Sequence, residues 1–379
     1  MAQFRFDAVE LPSSVPALRA ELRAFLAAEL PATPAYKRAN CWAVFDAEFS
    51  RKLGARGWIG MVWPKRYGGH ERSALERYVV LEELLAAGAP VAAHWIADRQ
   101  SGMALLRYGS EEQRARWLPG MAAGTVYTCI GMSEPGAGSD LASVRTRATQ
   151  VAGGWRINGQ KIWTTHARDC HLMIALVRTR PEAEKHAGLS QFLLEMNTPG
   201  IRVRPITDLV GDRHFTEVFF DDVFVPDSAL LGPEGAGWKQ VTGELSLERS
   251  GPERYLSSFA LFVELLREAG PDPAEPLRSL IGRASAQFWT LRQMSLSVAG
   301  QLAAGRDPTL EAAVVKDLGN EFEQELPRLV QATLDEGLPP ESELARVLAH
   351  LLQVAPSFSL RGGTREILRG IIARGMGLR

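Results

Sequence analysis

Few of the residue patterns that carry common enzyme chemistry occur in this 379-residue chain. Residues 136–141 read GAGSDL and begin like a dinucleotide-binding fingerprint. The third glycine is missing, however, and the segment lies in a β-rich region instead of between a strand and a helix. There is no Walker A sequence and no Gly-x-Ser-x-Gly elbow. The seven histidines form no His-x-x-x-His pair and lie near no cysteine cluster, so we expect no metal site.

Two neighbouring blocks carry the strongest chemical signal. Residues 130–140 read IGMSEPGAGSD, and residues 158–165 read NGQKIWTT. In this order and spacing they resemble the acyl-CoA dehydrogenase family, whose pattern is Thr/Ser-Glu-Pro-x-Ala-Gly-Ser-Asp and then Asn-Gly-x-Lys-x-Trp-Ile/Thr-Thr/Ser. The resemblance continues in WPKRYGG at 63–69, in YGSEEQ at 108–113 and in GTREI at 363–367, so it covers nearly the whole chain.

The resemblance implies an FAD-dependent enzyme that dehydrogenates an acyl-CoA thioester to the trans-2-enoyl-CoA, with hydride passing to flavin N5. The cofactor contacts that it implies are Ile130, Met132, Ser133, Gly138, Ser139, Trp163, Thr164, Thr165 and Thr364. The substrate contacts that it implies are Ser139, Arg249 and Gly363. The plainer interpretation makes the glycines a tight turn and Trp163 ordinary core, and it leaves the pairing of the two blocks unexplained.

This reaction needs a carboxylate that removes the α-proton from an apolar, water-poor site. Many family members carry it in a Tyr-Glu-Gly-Thr block, but the block here reads RGGT, with Gly362 in the place of the glutamate. The long-chain and isovaleryl branches take it instead from Leu-x-x-Glu-Arg on the first C-terminal helix. The stretch LSLER here therefore implies Glu248 as the base and Arg249 as a CoA contact. Alternatively, both belong to a solvated charged face that Glu253 and Arg254 repeat.

The part of the flavin site that a neighbouring subunit supplies in this family departs from the pattern. The family's Arg-x-x-Phe-Gly is missing: residues 266–273 read LREAGPDP, with Arg267 as the nearest basic residue. The Gln-x-x-Gly-Gly flavin contact is also not recognisable. Either a homodimer or homotetramer binds flavin weakly or differently, or a heterotetramer obtains the arginine from a related subunit.

Three functional readings remain open. The first is a dehydrogenase that passes electrons to an electron-transferring flavoprotein. The second is a non-catalytic or flavin-poor partner subunit of a heteromeric acyl-CoA dehydrogenase, which the missing arginine motif and Gly362 favour. The third is a flavin oxidase on the same fold, which no residue favours or excludes.

The elements that must position these residues follow a helix, sheet, helix order. Apolar residues recur at helical spacing over 14–124, short strands with turns suggest a closed or nearly closed sheet over 126–231, and helices return after Gly237. Asn158-Gly159 predicts a hairpin turn. The expected fold is α+β and multidomain: an N-terminal all-α domain (1–125), a middle β-barrel domain (126–235) and a C-terminal four-helix bundle (236–379).

Composition restricts the partners. The 43 basic and 44 acidic residues leave a net charge of −1, which disfavours nucleic acid as a partner. No apolar stretch is long enough for a membrane span, and the acidic start does not resemble a signal peptide. Cys41, Cys129 and Cys170 have no Cys-x-x-Cys spacing, which fits a reducing compartment, so we expect a cytoplasmic protein.

Overall fold

The computed structural model describes residues 4–30, 33–181, 184–249, 251–334 and 338–378, and of residues 244–248 it describes only the backbone. The helices are α1 (Val15–Glu29), α2 (Ala35–Arg38), α3 (Ala47–Ala55), α4 (Ala74–Ala86), α5 (Ala92–Ile96), α6 (Gly102–Tyr108), α7 (Glu111–Ala122), α8 (Gly237–Glu248), α9 (Phe259–Ala269), α10 (Leu277–Ala303), α11 (Thr309–Thr333), α12 (Glu343–Val354) and α13 (Arg365–Gly375). The strands are β1 (Thr128–Gly131), β2 (Arg147–Val151), β3 (Gly154–Thr165), β4 (Leu172–Arg178), β5 (Leu189–Glu195), β6 (Ile201–Ile206), β7 (Phe215–Pro226) and β8 (Leu230–Leu231).

Helix ends fall where the sequence supplies caps and breaks. Capping boxes begin α4, where Ser73 pairs with Glu76, and α7, where Ser110 pairs with Gln113. The segments between the C-terminal helices contain prolines, namely Pro271, Pro273, Pro276, Pro308, Pro339 and Pro340. The predicted order of helices, sheet and helices is therefore confirmed.

One compact unit comprises residues 1–44, 72–90 and 246–379 and is helical. Its two longest helices, α10 and α11, pack against each other, and Phe288 meets Phe322 edge to face with 4.7 Å between ring centroids. The apolar stripe of α1 is buried, and α1 packs against α4. The predicted C-terminal helical domain is confirmed.

The other compact unit comprises residues 45–71 and 91–245 and contains the sheet. The strand order is β6-β7-β3-β2-β4-β5-β8, with β1 parallel to β4, so hydrogen bonding among the described strands follows an open path. A tight turn at Ala152 and Gly153 joins β2 to β3. The predicted middle sheet domain is confirmed.

The hairpin predicted at Asn158-Gly159 is wrong, because both residues lie inside β3. Gly159 has φ +145°, and the pairing of β3 with β7 shifts register between Ile157 and Gly159. A Cβ atom on Gly159 would lie 2.6 Å from Thr146 Oγ1, while Asn158 Oδ1 accepts a hydrogen bond from the Asp222 amide. Asn158 thus lies opposite both Asp221 and Asp222, in a β-bulge whose extra residue belongs to β7, and the dipeptide does not reverse the chain.

Other expectations about the whole chain are only partly tested. The three cysteines are free thiols. Within the described ranges, no helix is both long and apolar enough to cross a membrane. The domain boundaries at 125/126 and 235/236 stay predictions.

Candidate active site

The loop at residues 132–137 follows β1 and folds back against β3. Glu134 and Ala137 exchange two main-chain hydrogen bonds of 2.9 and 3.0 Å, which closes a narrow turn. The Ile162 amide donates to the Ser133 carbonyl at 2.9 Å, which attaches the turn to β3. The predicted cofactor contacts Met132 and Ser133 on this loop, and Ile130 in β1, are half-buried.

A buried ion pair lies beneath this loop. The Lys161 side chain is fully buried, and its ammonium donates to Glu134 Oε1 at 2.8 Å and to the Met132 carbonyl at 3.0 Å. The Glu134 carboxylate also accepts from the amides of Arg145 at 2.6 Å and Thr146 at 2.9 Å. Burial lowers the pKa of Lys161 to about 8, although the Glu134 charge opposes this shift. Burial alone would raise the pKa of Glu134, but Lys161 and these hydrogen bonds hold it below its usual value.

A second bulge in the β3–β7 pairing, with its extra residue in β3, exposes the tryptophan of the motif. The pairing with β7 shifts register between Lys161 and Thr164, and Trp163 takes a left-handed φ of +61°. Its side chain is 55% exposed and meets the edge of Phe215 at 5.9 Å between ring centroids. The interpretation of Trp163 as ordinary core is therefore wrong.

The residues beside the bulge differ in accessibility. Thr164 is 1% exposed, and its Oγ1 has no hydrogen-bond partner within the described part of the chain. Thr165 is half-buried. A buried hydroxyl without a hydrogen-bond partner lowers the stability of the folded state unless a ligand supplies the missing hydrogen bond.

The end of the first motif is open to solvent. Gly138, Ser139 and Asp140 are exposed, and a Cβ atom on Gly138 would meet nothing within 4 Å. Asp140 forms an exposed ion pair with Lys185 at 2.7 Å. The glycine therefore leaves space at the surface for a ligand and is not required by close packing.

The helical unit brings two predicted substrate contacts together. Gly362 and Gly363 take left-handed φ values of +62° and +101°, and a Cβ atom on Gly363 would lie 3.9 Å from Arg249 Nη2. The buried Lys316 ammonium donates to the Gly363 carbonyl. Thr364 is the N-cap residue of α13.

The alternative of a solvated charged face is wrong for the residues that follow α8. Arg249, Glu253 and Arg254 are 6%, 3% and 2% exposed. Arg254 Nε lies 3.3 Å from Glu253 Oε1. The predicted base, Glu248, ends α8, but its side chain lies outside the described residues, so its role stays a prediction.

A further buried carboxylate, Glu323 of α11, lies in the same unit. It accepts a 2.6 Å hydrogen bond from the Ser257 amide, and Arg361 Nη2 lies 3.8 Å from its Oε2. Burial raises the pKa of Glu323 to about 6, although Arg361 and Ser257 oppose this shift. This unit therefore contains a carboxyl group that titrates close to neutrality.

One group of potential metal ligands lies at the start of β7. Ligand atoms of Asp208, Asp212 and His214 lie within 4.8 Å of one another. Such groups are common without a metal, and the expectation that the protein binds none stays a prediction.

Comparison with known proteins assigns the chain to a family. Family models of the acyl-CoA dehydrogenase N-terminal, middle and C-terminal domains match residues 14–125, 129–223 and 267–377. The chain therefore belongs to the acyl-CoA dehydrogenase family. It is a flavin-dependent oxidoreductase that acts on an acyl-CoA thioester, and FAD is its cofactor.

Three relatives illustrate the range of similarity. The chain is 33% identical to acyl-CoA dehydrogenase FadE34 of Mycobacterium tuberculosis over 95% of its own length, but it spans only about half (48%) of that protein. The solved Tcur3481-Tcur3483 steroid ACAD is 30% identical, with a TM-score of 0.87 over 97% of this chain and 98% of that one. The ChsE4-ChsE5 complex from M. tuberculosis is 29% identical, with a TM-score of 0.84 over 98% and 99%.

The sheet unit fits FAD chemically. An isoalloxazine ring presents polar edges and an aromatic face, and the bulge combines an exposed indole with the neighbouring Thr164, whose buried hydroxyl has no hydrogen-bond partner among the described residues. Ser133 and the space around Gly138 lie on the other motif. Glu134 and Lys161 have no role in the sequence-based assignment. The sequence signal that could have identified them is that each of the two linked motifs contains a charged residue at a fixed position, and that these two residues are of opposite sign.

Proposed function

We propose that the chain catalyses FAD-dependent α,β-dehydrogenation of an acyl-CoA thioester, with the cofactor held by the 130–139 and 163–165 segments. The observation that carries this proposal is the β3 bulge, which exposes Trp163 beside the buried, unpartnered Thr164 hydroxyl. When bound there, FAD supplies the acceptor for the β-hydrogen. Ser133, Thr164 and Thr165 bind and orient the ring, and Ser139 contacts the CoA moiety.

In this proposal the Glu248 carboxylate takes the α-proton. It directly precedes Arg249, which lies beside Gly363 in the helical unit, so the base and the two substrate contacts share one region. The Arg249 guanidinium favours the anionic groups of CoA, since charge-assisted hydrogen bonds are strong. Glu134 is unsuited to this role because two amides and Lys161 already occupy its carboxylate oxygens.

The assignment of the base is tested with Glu248→Gln. We expect this variant to retain FAD but to lose substrate-driven bleaching of the flavin band by about 10²–10⁴-fold in rate, which is the usual contribution of a general base. Glu268→Gln, at an exposed glutamate of the helical unit, should bleach at the wild-type rate. Normal bleaching in the Glu248 variant would refute the assignment.

We further propose that the functional assembly is a heteromer with a related subunit. Arg267 lines a surface cleft of about 410 Å³ with Arg38, Glu264 and Glu343, and its guanidinium is bonded to Glu264 of the same helix. An arginine held this way is poorly placed to neutralise a pyrophosphate on another subunit. Two similar solved structures carry paired names, Tcur3481-Tcur3483 and ChsE4-ChsE5.

Flavin content decides between the possible assemblies. Co-expression with a neighbouring homologous gene should yield a mixed complex with stoichiometric FAD, while the chain alone should retain little. Stoichiometric FAD in the chain alone would refute the heteromer. A mixed complex that keeps FAD and activity after Glu248→Gln would support the non-catalytic partner subunit instead.

The substrate is proposed to be a bulky acyl-CoA. The 30% identical solved relative is titled a steroid ACAD, and placing the base on α8 resembles the branches that accept long or branched chains. Anaerobic bleaching by polycyclic acyl-CoA thioesters should exceed bleaching by straight-chain ones. Electron-transferring flavoprotein is the proposed acceptor, and oxygen consumption without it would indicate an oxidase.

A further inference from the structure

The ion pair beneath the 132–137 loop has no contact role in the reaction proposed above. Lys161 is fully buried, and Glu134 is 9% exposed. We propose that Lys161 and Glu134 are positioning residues, which fix the main chain of this loop before FAD binds. This inference rests on the proposed cofactor site and adds to it the two residues that fix the conformation of its loop.

The pair joins three segments that are distant in sequence. Through Lys161, β3 holds the Met132 carbonyl at 3.0 Å and the Glu134 carboxylate at 2.8 Å. The same carboxylate accepts the amides of Arg145 and Thr146, which immediately precede β2. Releasing Lys161 therefore frees the loop from β3 at two points and leaves an unpaired charge between the segments.

These bonds also determine which groups the loop can offer to a ligand. Lys161 occupies the Met132 carbonyl, the Ile162 amide occupies the Ser133 carbonyl, and Ala137 occupies both main-chain groups of Glu134. With these bonds the main-chain carbonyls of residues 132–134 are engaged, and the Ser133 hydroxyl is the side-chain donor that this stretch offers a ligand. A hydroxyl donor beside engaged carbonyls suits a ligand edge with carbonyl oxygens, such as the pyrimidine ring of a flavin.

Stability alone is a weak reason to retain this pair. A buried ion pair commonly contributes no more stability than apolar residues of the same volume, because desolvation offsets the attraction. A second lysine–carboxylate pair joins Asp140, on the same β1–β2 connection, to Lys185, which lies between β4 and β5, and this pair is exposed. Exposed pairs contribute little to stability. Lys185 therefore provides a matched control.

The experiment compares Lys161→Met, the double variant Lys161→Met/Glu134→Gln and Lys185→Met. Amide hydrogen exchange of residues 132–137 is measured in the flavin-free protein, and the FAD dissociation constant in the assembly that binds FAD in the wild type. For Lys161→Met we expect exchange about tenfold faster or more, since local opening is no longer opposed. Its FAD affinity should fall at least about tenfold, because the loop must be ordered on binding. Lys185→Met should match the wild type in both measurements.

The double variant separates positioning from stabilisation. It leaves no unpaired buried charge, so it should recover most of the melting temperature lost by Lys161→Met. Loop exchange should stay fast and FAD binding weak, since the Met132 carbonyl still lacks its lysine. Recovery of all three properties would overturn the proposal, and so would wild-type exchange in Lys161→Met. If Lys161→Met does not fold, the double variant alone decides. A wild type that binds no FAD in any assembly would refute the proposed function, while the exchange measurement would still test the pair.

Discussion

The sheet unit and the helical unit build their candidate site residues in different ways. In the sheet unit, contiguous motifs form a bulge that exposes an indole and a narrow turn, with the Glu134–Lys161 ion pair buried behind them. In the helical unit, Arg249, Lys316 and Gly363 come from segments distant in sequence, and buried charges are numerous. The residues of the sheet unit depend on backbone geometry, and those of the helical unit depend on the placement of charged groups. Different kinds of substitution should therefore destabilise each unit.

The largest expected effect is on the backbone of the sheet unit. Gly159→Ala should destabilise the protein by about 3 kcal/mol, because a left-handed φ is combined with a Cβ 2.6 Å from Thr146 Oγ1. Gly153→Ala is the matched control: φ is +77°, but nothing lies within 4 Å of the new Cβ, so the cost should be about 1 kcal/mol. Urea unfolding of both variants measures the difference. Equal losses would show that Gly159 is not packed against Thr146.

A smaller effect, dependent on pH, is expected in the helical unit. Burial raises the pKa of Glu323 to about 6, so the folded state binds its proton more tightly than the unfolded state does. The contribution of this group to stability is therefore full below about pH 4.5 and is lost as the pH rises through about 6. It should amount to about 2 kcal/mol, since one pKa unit corresponds to about 1.4 kcal/mol. Glu323→Gln removes this dependence.

The test compares free energies of unfolding at pH 4.5 and pH 7. Between these values the variant should gain about 2 kcal/mol relative to the wild type. The Arg361 guanidinium, which faces the carboxylate at 3.8 Å, is charged throughout this range and adds no pH dependence. If the free energies of unfolding of the wild type and the variant change in parallel with pH, the pKa of Glu323 is the same in the folded and the unfolded protein.

The same contrast explains what the sequence could predict. Trp163, Thr164 and Ser133 could be proposed as cofactor contacts from the sequence because a cofactor loop needs its residue types in a fixed local order, and this role stays a prediction. The hairpin at Asn158-Gly159 was misassigned because a bulge and a turn both favour glycine at positive φ, and only the pairing with β7 distinguishes them. The burial of Arg249, Glu253 and Arg254 was equally inaccessible, since charged residues are ordinarily exposed and their partners lie far along the chain.

The smallest expected effect has opposite signs with and without the cofactor. Thr164→Val replaces a buried, unpartnered hydroxyl with a methyl group of similar size. In the flavin-free protein it should leave stability unchanged or raise it by up to about 1 kcal/mol, because no polar atom is then buried without a partner. FAD affinity should fall about five- to tenfold, the equivalent of one hydrogen bond. Thermal unfolding of the apoprotein and FAD titration give the two values, with Thr165→Val as the neighbouring control. A loss of apoprotein stability would mean that the Thr164 hydroxyl already has a hydrogen-bond partner in the apoprotein. It would then not be available as a donor to FAD.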